Sequence, residues 1–300
     1  MRAAWRRAAQ RCYRRAMSLV LFTKSLSDHD VPQLIERGQA LGVDGYDLCV
    51  RAGHPVQPDD AATTLAAAVR DLRAAGLAVP MVTGPFDLLR PDHPAAHPVM
   101  AAMDAAGVRL LKLGYFAFDP VREDYWTAVE RTRAALAGWS ELAARYRVKV
   151  CYHTHSRGNL GLNAGMLAHL LRGFDPALIG AYLDPCHLLI EGEEFATGAA
   201  IVADHLAVIG LKDALLVREP RTAGAAQGAS LTHGAAAIRW VEAGYGMVDW
   251  SAVRATLRRL AFAGPLSIHC EYQDPPGGHL AAMRREVTFF RSLFASASGA

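Results

Sequence analysis

The residues of this chain best suited to chemistry fall in two short runs. Val148-Lys-Val-Cys-Tyr-His-Thr-His-Ser-Arg-Gly158 and Ala181-Tyr-Leu-Asp-Pro-Cys-His187 each pass from apolar or β-branched residues straight into ionisable ones. A buried parallel strand whose carboxyl end opens into an active site reads this way. Successive strand side chains point to opposite faces, so Cys151, His153 and His155 share one side and Tyr152 and Thr154 the other. Two imidazoles about 6–7 Å apart at a strand end pack poorly and suit metal ligation or proton transfer. The blander reading is a pair of surface histidines capping the strand.

Elements must position these groups, and the pattern supplies them. Strand-like runs occur at residues 20–23, 45–49, 78–82, 109–113, 149–153, 180–184, 206–211 and 266–269. Amphipathic segments lie between them at 31–41, 60–75, 97–106, 121–146, 165–173 and 193–203, then at 251–263 and 280–294. Asp28 or Asp30, Asp59, and Asp249 or Ser251 are placed to cap helix starts, and Gly42, Gly76 and Gly173 to close helices. Eight β/α alternations without a composition break predict a single (β/α)8 TIM barrel over residues 17–300. The rival, a doubly wound open sheet, would carry a glycine-rich phosphate loop after its first strand, and none follows residue 24. Residues 213–247, rich in Gly and Ala, form one long irregular connection that reads as a lid or partner contact.

In a barrel the chemistry sits at the carboxyl ends of the strands. Those ends supply Lys24, then Arg51 and His54, Thr83, Tyr115, His153 and His155, Asp184 and His187, Lys212 and Asp213, and finally His269 and Glu271. Taken singly, Asp213 fits a loop cap as well, Arg51 a solvated charge, and Thr83 ordinary strand.

Composition bounds the function. Of the 300 residues, 52% are apolar and 20% charged, which suits a globular chain with a sizeable core. The formal charge of +3 includes six arginines among residues 1–17, so the body carries +3 − 6 = −3. That balance offers no general nucleic-acid surface. Residues 1–16 read as an Arg-rich extension ahead of a natural start at Met17, with a targeting peptide or basic arm as alternatives. No run of 18 apolar residues suggests a membrane span. Five scattered cysteines without C-x-x-C spacing point to reduced thiols and a cytoplasmic location.

From Met17 onward the chain resembles the sugar phosphate isomerase/epimerase-like proteins of the xylose isomerase-like barrel superfamily. The resemblance rests on Gly42-Val-Asp-Gly-Tyr-Asp-Leu, Val50-Arg-Ala-Gly-His-Pro-Val, Tyr152-His-Thr-His-Ser, Tyr182-Leu-Asp-Pro-Cys-His, Leu211-Lys-Asp, Gly244-Tyr-Gly-Met-Val-Asp-Trp and Gly264-Pro-Leu-Ser-Ile-His-Cys-Glu-Tyr, in that order. Familiar members hold one divalent metal through a Glu, an Asp, a His and a second Glu, and the two Glu also move protons. By flanking residues these positions fall here on His153, Asp184, Gly210 and His269, so one of the four is kept in kind. The resemblance also implies that such barrels often dimerise.

His153, Asp184 and His269 would still make a two-His-one-carboxylate set suited to Mn, Zn or Fe. A ligated imidazole has no lone pair left for a proton, so proton transfer would pass to Glu271, with His155 and His187 next. Without a metal, His153 and His269 would be the acid/base pair, and Lys212 would polarise the substrate carbonyl. The resemblance thus implies proton abstraction next to the carbonyl of a sugar or polyol-derived compound, in an isomerase, epimerase, dehydratase or lyase. Lys24, Arg51, His54, Tyr115 and Asn159 would hold hydroxyls or an acidic group. A non-catalytic carbohydrate-binding barrel is the alternative from another class. A nuclease of the same superfamily fits poorly, because the body is slightly acidic.

Overall fold

Alternation along each strand sorts its side chains into two apolar environments, and that sorting builds the barrel. A computed structural model describes residues 17–217, 231–233, 236–273 and 275–295. The Arg-rich extension at 1–16 lies outside them. In chain order the elements are β1 (Leu19–Phe22), α1 (Val31–Leu41), β2 (Gly45–Cys49), α2 (Ala61–Ala74), β3 (Ala78–Thr83), α3 (Ala96–Ala106), β4 (Leu110–Lys112), α4 (Tyr125–Tyr146), β5 (Lys149–His153), α5 (Ala164–Leu171), β6 (Ile179–Leu183), α6 (Pro185–Ile190), α7 (Phe195–Ile201) and β7 (Leu206–Leu211). There follow β8 (Asp213–Val217), β9 (Leu231–His233), β10 (Ala236–Val241), α8 (Trp250–Arg259), β11 (Leu266–Ile268) and α9 (His279–Phe294).

Strands β1 to β7 and β11 close into an eight-stranded parallel barrel, with β1 paired to both β2 and β11. Met81, Leu110, Cys151, Tyr182 and Val208 fill its interior. Their strand neighbours, such as Leu111, Val150, Leu183 and Ile209, face the surrounding helices in the larger core. One polar group is tucked into the interior: Asp47 accepts hydrogen bonds from Thr83 (2.7 Å) and Ser267 (2.9 Å).

Local signals account for the helix ends. Asp30 caps α1 in a reciprocal pair with Gln33, and Gly42 ends it at φ 71°. Asp249 caps α8. At α2 the cap position is Asp60 rather than Asp59. Asp184 is not the last strand residue but the cap of α6, a six-residue helix that sequence periodicity is too short to reveal.

The expectation of an irregular connection over 213–247 is corrected. Strands β8, β10 and β9 form a three-stranded antiparallel sheet between β7 and the last barrel strand. Asp213 fastens it, accepting from the amides of Ala214, Gly244, Gly246 and Val248 and from the Trp250 indole. Asp213 is therefore a loop anchor. Among the described residues no helix is long and apolar enough to cross a membrane.

Candidate active site

Two neighbouring strand ends place the centre of the barrel mouth. Strand β5 ends on His153, and β6 delivers Asp184 at the point where the chain turns into α6. Pro185 sets the first helical turn, which brings His187, three residues on, back beside its own cap. Asp184 Oδ1 is committed to the cap, accepting from the amides of Cys186 (2.8 Å) and His187 (3.2 Å). Asp184 Oδ2 has no hydrogen-bond partner. It faces His153 Nε2 at 3.5 Å, His187 Nε2 at 4.0 Å and His269 Nδ1 at 4.0 Å.

His153 Nε2 and His187 Nε2 are also buried without a partner. Orphaned buried polar atoms are rare, and three converging on one point need an explanation. His153, Asp184 and His187 offer ligand atoms within 4.8 Å of one another. Two imidazoles and a carboxylate suit Mn, Fe or Zn, so the residues present fit a divalent cation. The outer nitrogens are braced as ligands require: His153 Nδ1 lies 2.8 Å from the Tyr115 hydroxyl and His187 Nδ1 2.8 Å from the Ser156 hydroxyl. The Ser156 amide, 3.2 Å from the same His187 nitrogen, prefers the opposite tautomer, so a cation and a proton compete for Nε2.

The expected third ligand, His269, stands beside this set. Its Nε2 is engaged with the Tyr182 hydroxyl at 2.7 Å, and the tighter trio takes His187 in its place. Gly210 explains the room available. A Cβ there would sit 2.9 Å from Asp184 Oδ2, so the position where the resemblance sets a histidine is filled by the carboxylate itself.

Electrostatics separate the groups. Burial, with Lys112 or Lys212 adding to it, drives His153, His187 and His269 well below the usual imidazole range. Burial lowers His155 to about 3. Neutral imidazoles suit ligation, and they work against a metal-free acid/base pair, which needs one imidazolium near neutrality. Burial raises Asp184 to about 7 despite the neighbouring Lys212.

The other expected residues divide into three groups. Lys24, His155, Lys212, His269 and Glu271 line a cavity of about 690 Å³ beside the trio. Glu271 accepts from Lys24 (2.5 Å) and Lys212 (3.0 Å). Against burial, which would raise it, the two ammonium groups hold Glu271 well below the usual carboxylate range. It is a reliably ionised but weak base. Glu271 also neutralises Lys212, whose ammonium would otherwise repel a cation nearby. Arg51 is buried at the rim and Tyr115 braces His153. His54 and Asn159 are not brought to the cavity: His54 sits in the turn after β2, and Asn159 donates to the Arg157 carbonyl (2.7 Å) within its own turn.

Sequence reasoning missed three contributors. Trp240, on β10, lies 4.4 Å from Lys212 Nζ and 5.9 Å from the His187 ring, so the inserted sheet supplies one wall of the site. Lys112 ends β4 fully buried; a lysine in an otherwise apolar strand was the available signal. Tyr182 points inward two residues before Asp184, which alternation alone would have shown.

The described geometry can be set beside known proteins. No curated protein matches the chain by sequence. Among solved structures, a D-tagatose 3-epimerase-like protein superposes with TM-score 0.69 at 12% identity, covering 92% of this chain and 97% of its own. A 3-keto-D-glucoside 4-epimerase from E. coli gives TM-score 0.70 at 13% identity, covering 92% and 99%. A probable 3-DHS dehydratase involved in petrobactin synthesis, from Bacillus anthracis, gives 0.67 at 14%, covering 91% and 98%. At these identities the likeness shows the barrel. The family described as xylose isomerase-like TIM barrel matches residues 35–293, and the chain belongs to that family.

Proposed function

We propose that this barrel is an enzyme that removes a proton next to the carbonyl of a sugar or polyol-derived compound, as an isomerase, epimerase or dehydratase. The observation that carries the reading is the convergence of three unpartnered buried atoms, His153 Nε2, Asp184 Oδ2 and His187 Nε2, at the carboxyl-end mouth. A divalent cation held by these residues would act there as a Lewis acid toward a substrate oxygen.

The chain's own groups supply the rest. Glu271, ionised and facing the cavity, accepts the proton, at the cost of a low basic strength. Lys212, held by Glu271 above its usual range despite burial, remains an ammonium and donates to the oxygen that gains charge. Trp240 covers Lys212 and keeps water off that side. His155, neutral and lining the cavity, orients hydroxyls.

The test is proton exchange. Purified protein supplied with Mn, Zn or Fe is incubated with a panel of ketoses and keto-polyols in D2O and followed by NMR. The reading expects deuterium to replace the hydrogen next to the carbonyl in at least one compound, with loss of exchange in Asp184→Asn. No exchange in any compound, with any of the three metals, overturns it.

A further inference from the structure

Two cations at the mouth take no part in the proposed proton transfer, and both are buried. Arg51 is 7% exposed and Lys112 is 2% exposed. Among the described residues neither has a carboxylate oxygen within 4.0 Å. Arg51 uses its Nε on the Gly84 carbonyl at 3.0 Å. Lys112 Nζ has the Leu113 carbonyl at 3.5 Å and the Tyr115 ring at 4.3 Å. Asp47, a buried carboxylate whose charge acts on both, does so from beyond 4.0 Å and accepts its hydrogen bonds from the Thr83 and Ser267 hydroxyls instead. Buried charges are ordinarily paired in contact, so two cations that share one carboxylate out of contact leave a place for a further anion.

Their placement is built. The amide of Gly84, after β3, donates to the Lys112 carbonyl, and its carbonyl accepts from Arg51, so one residue brackets both. The guanidinium carbon lies 3.8 Å from the centre of the Phe86 ring and 5.8 Å from that of Phe22, contacts that restrict its forked donors. Phe22 in turn packs on His269, and Tyr115, beneath Lys112, bonds His153. The cationic corner thus adjoins the catalytic centre on its β2–β4 side. Burial, with Arg51 adding to it, lowers Lys112 to about 7. The adjoining cavity is cationic as well, with Lys24, Arg157 and Lys212 against Glu271.

We propose that Arg51 and Lys112 form an anion subsite, and that the substrate is an acidic one, a polyhydroxy carboxylate or a phosphate ester, with its charged group on this corner and its reacting carbon toward His153. A bidentate guanidinium beside a point-charge ammonium binds either anion. The inference rests on the proposed enolisation site for the substrate's orientation, but the subsite can be tested without turnover.

The experiment uses full-length protein stripped of metal with a chelator, at low ionic strength, so that no cation can capture the anion. Inorganic phosphate, D-gluconate and the neutral polyol sorbitol are titrated by calorimetry and by thermal melting. The expected result is saturable binding of at least one anion, a raised melting temperature, and no effect of sorbitol. Arg51→Gln and Lys112→Met each weaken that binding by about tenfold or more. Lys112→Met alone melts no lower than the parent, because it removes a buried amine that no carboxylate contacts. Binding of gluconate only assigns a carboxylate substrate, and of phosphate only a phosphate ester. Binding of neither anion, or binding unchanged in both variants, overturns the subsite. Anion binding without deuterium exchange leaves the subsite standing and defeats the enolisation reading; exchange of neutral ketoses without anion binding does the reverse.

Discussion

Asp184 and Asp213 are both fully buried, and they follow neighbouring barrel strands, β6 and β7. They differ in what their oxygens meet. Asp213 receives five hydrogen bonds, shared between both oxygens. Asp184 has one oxygen spent on the α6 cap and the other bare before three imidazoles. A satisfied buried carboxylate is structural mortar. A half-satisfied one, aimed at nitrogen lone pairs, has been left open for something that arrives later.

The largest expected effects come from exchanging the two losses. Asp184→Asn keeps an oxygen for the α6 cap, so unfolding free energy changes by less than about 1 kcal/mol. Proton exchange into substrate falls by about 1,000-fold. Asp213→Ala strands five donors and lowers unfolding free energy by about 3 kcal/mol or more, read by denaturant titration. If Asp184→Asn were instead the destabilising change and Asp213→Ala the silent one, the contrast would be inverted and the site reading lost.

A second comparison sets His187 against His269. His187→Ala is expected to weaken divalent-ion binding by about 100-fold or more, and His269→Ala by less than about tenfold. The opposite ranking would restore the ligand set implied by the sequence resemblance. Next in size, Glu271→Gln should lower turnover about 100-fold while leaving divalent-ion affinity within about threefold, since Glu271 faces the cavity rather than the trio. Equal loss of ion affinity would make Glu271 a ligand.

A third buried carboxylate gives the smallest effect. Glu286 accepts from the Tyr272 hydroxyl and the Ala243 amide, both neutral donors. Burial raises it to about 7 from the ordinary 4.5. The folded state therefore holds this proton more tightly than the unfolded chain. Its stabilising contribution is complete below about pH 4.5 and declines as pH rises to about 7. The difference in unfolding free energy between the parent and Glu286→Gln should move against the parent as pH rises through that window; a difference that stays constant would show that Glu286 titrates alike in both states.

Much of the barrel was legible because alternation and helical period are local. All eight barrel strands fall on expected runs, three with the same bounds and the others within one residue at each end. The inserted sheet was not legible, since its short strands sit in a Gly- and Ala-rich stretch and form by pairing with one another rather than by their own pattern. At the site, His153, Asp184 and Lys212 could be placed from strand ends. His187 was expected to carry protons rather than ligate. Its position depends on a helix turn that begins at Pro185, where strand periodicity stops being informative. An Asp followed by Pro, with His three residues after the Asp, is the signal that would have joined it to Asp184. Trp240 owes its role to tertiary placement alone.

The central claim is that the open oxygen of Asp184 and the free nitrogens of His153 and His187 make one cation site. Mn²⁺ titrated into chelator-stripped protein, with free ion followed by electron paramagnetic resonance, tests it most directly. The account predicts one ion bound per parent chain and affinity weaker by about 100-fold or more in Asp184→Asn. Binding that is absent in the parent, or equal in parent and variant, would contradict it.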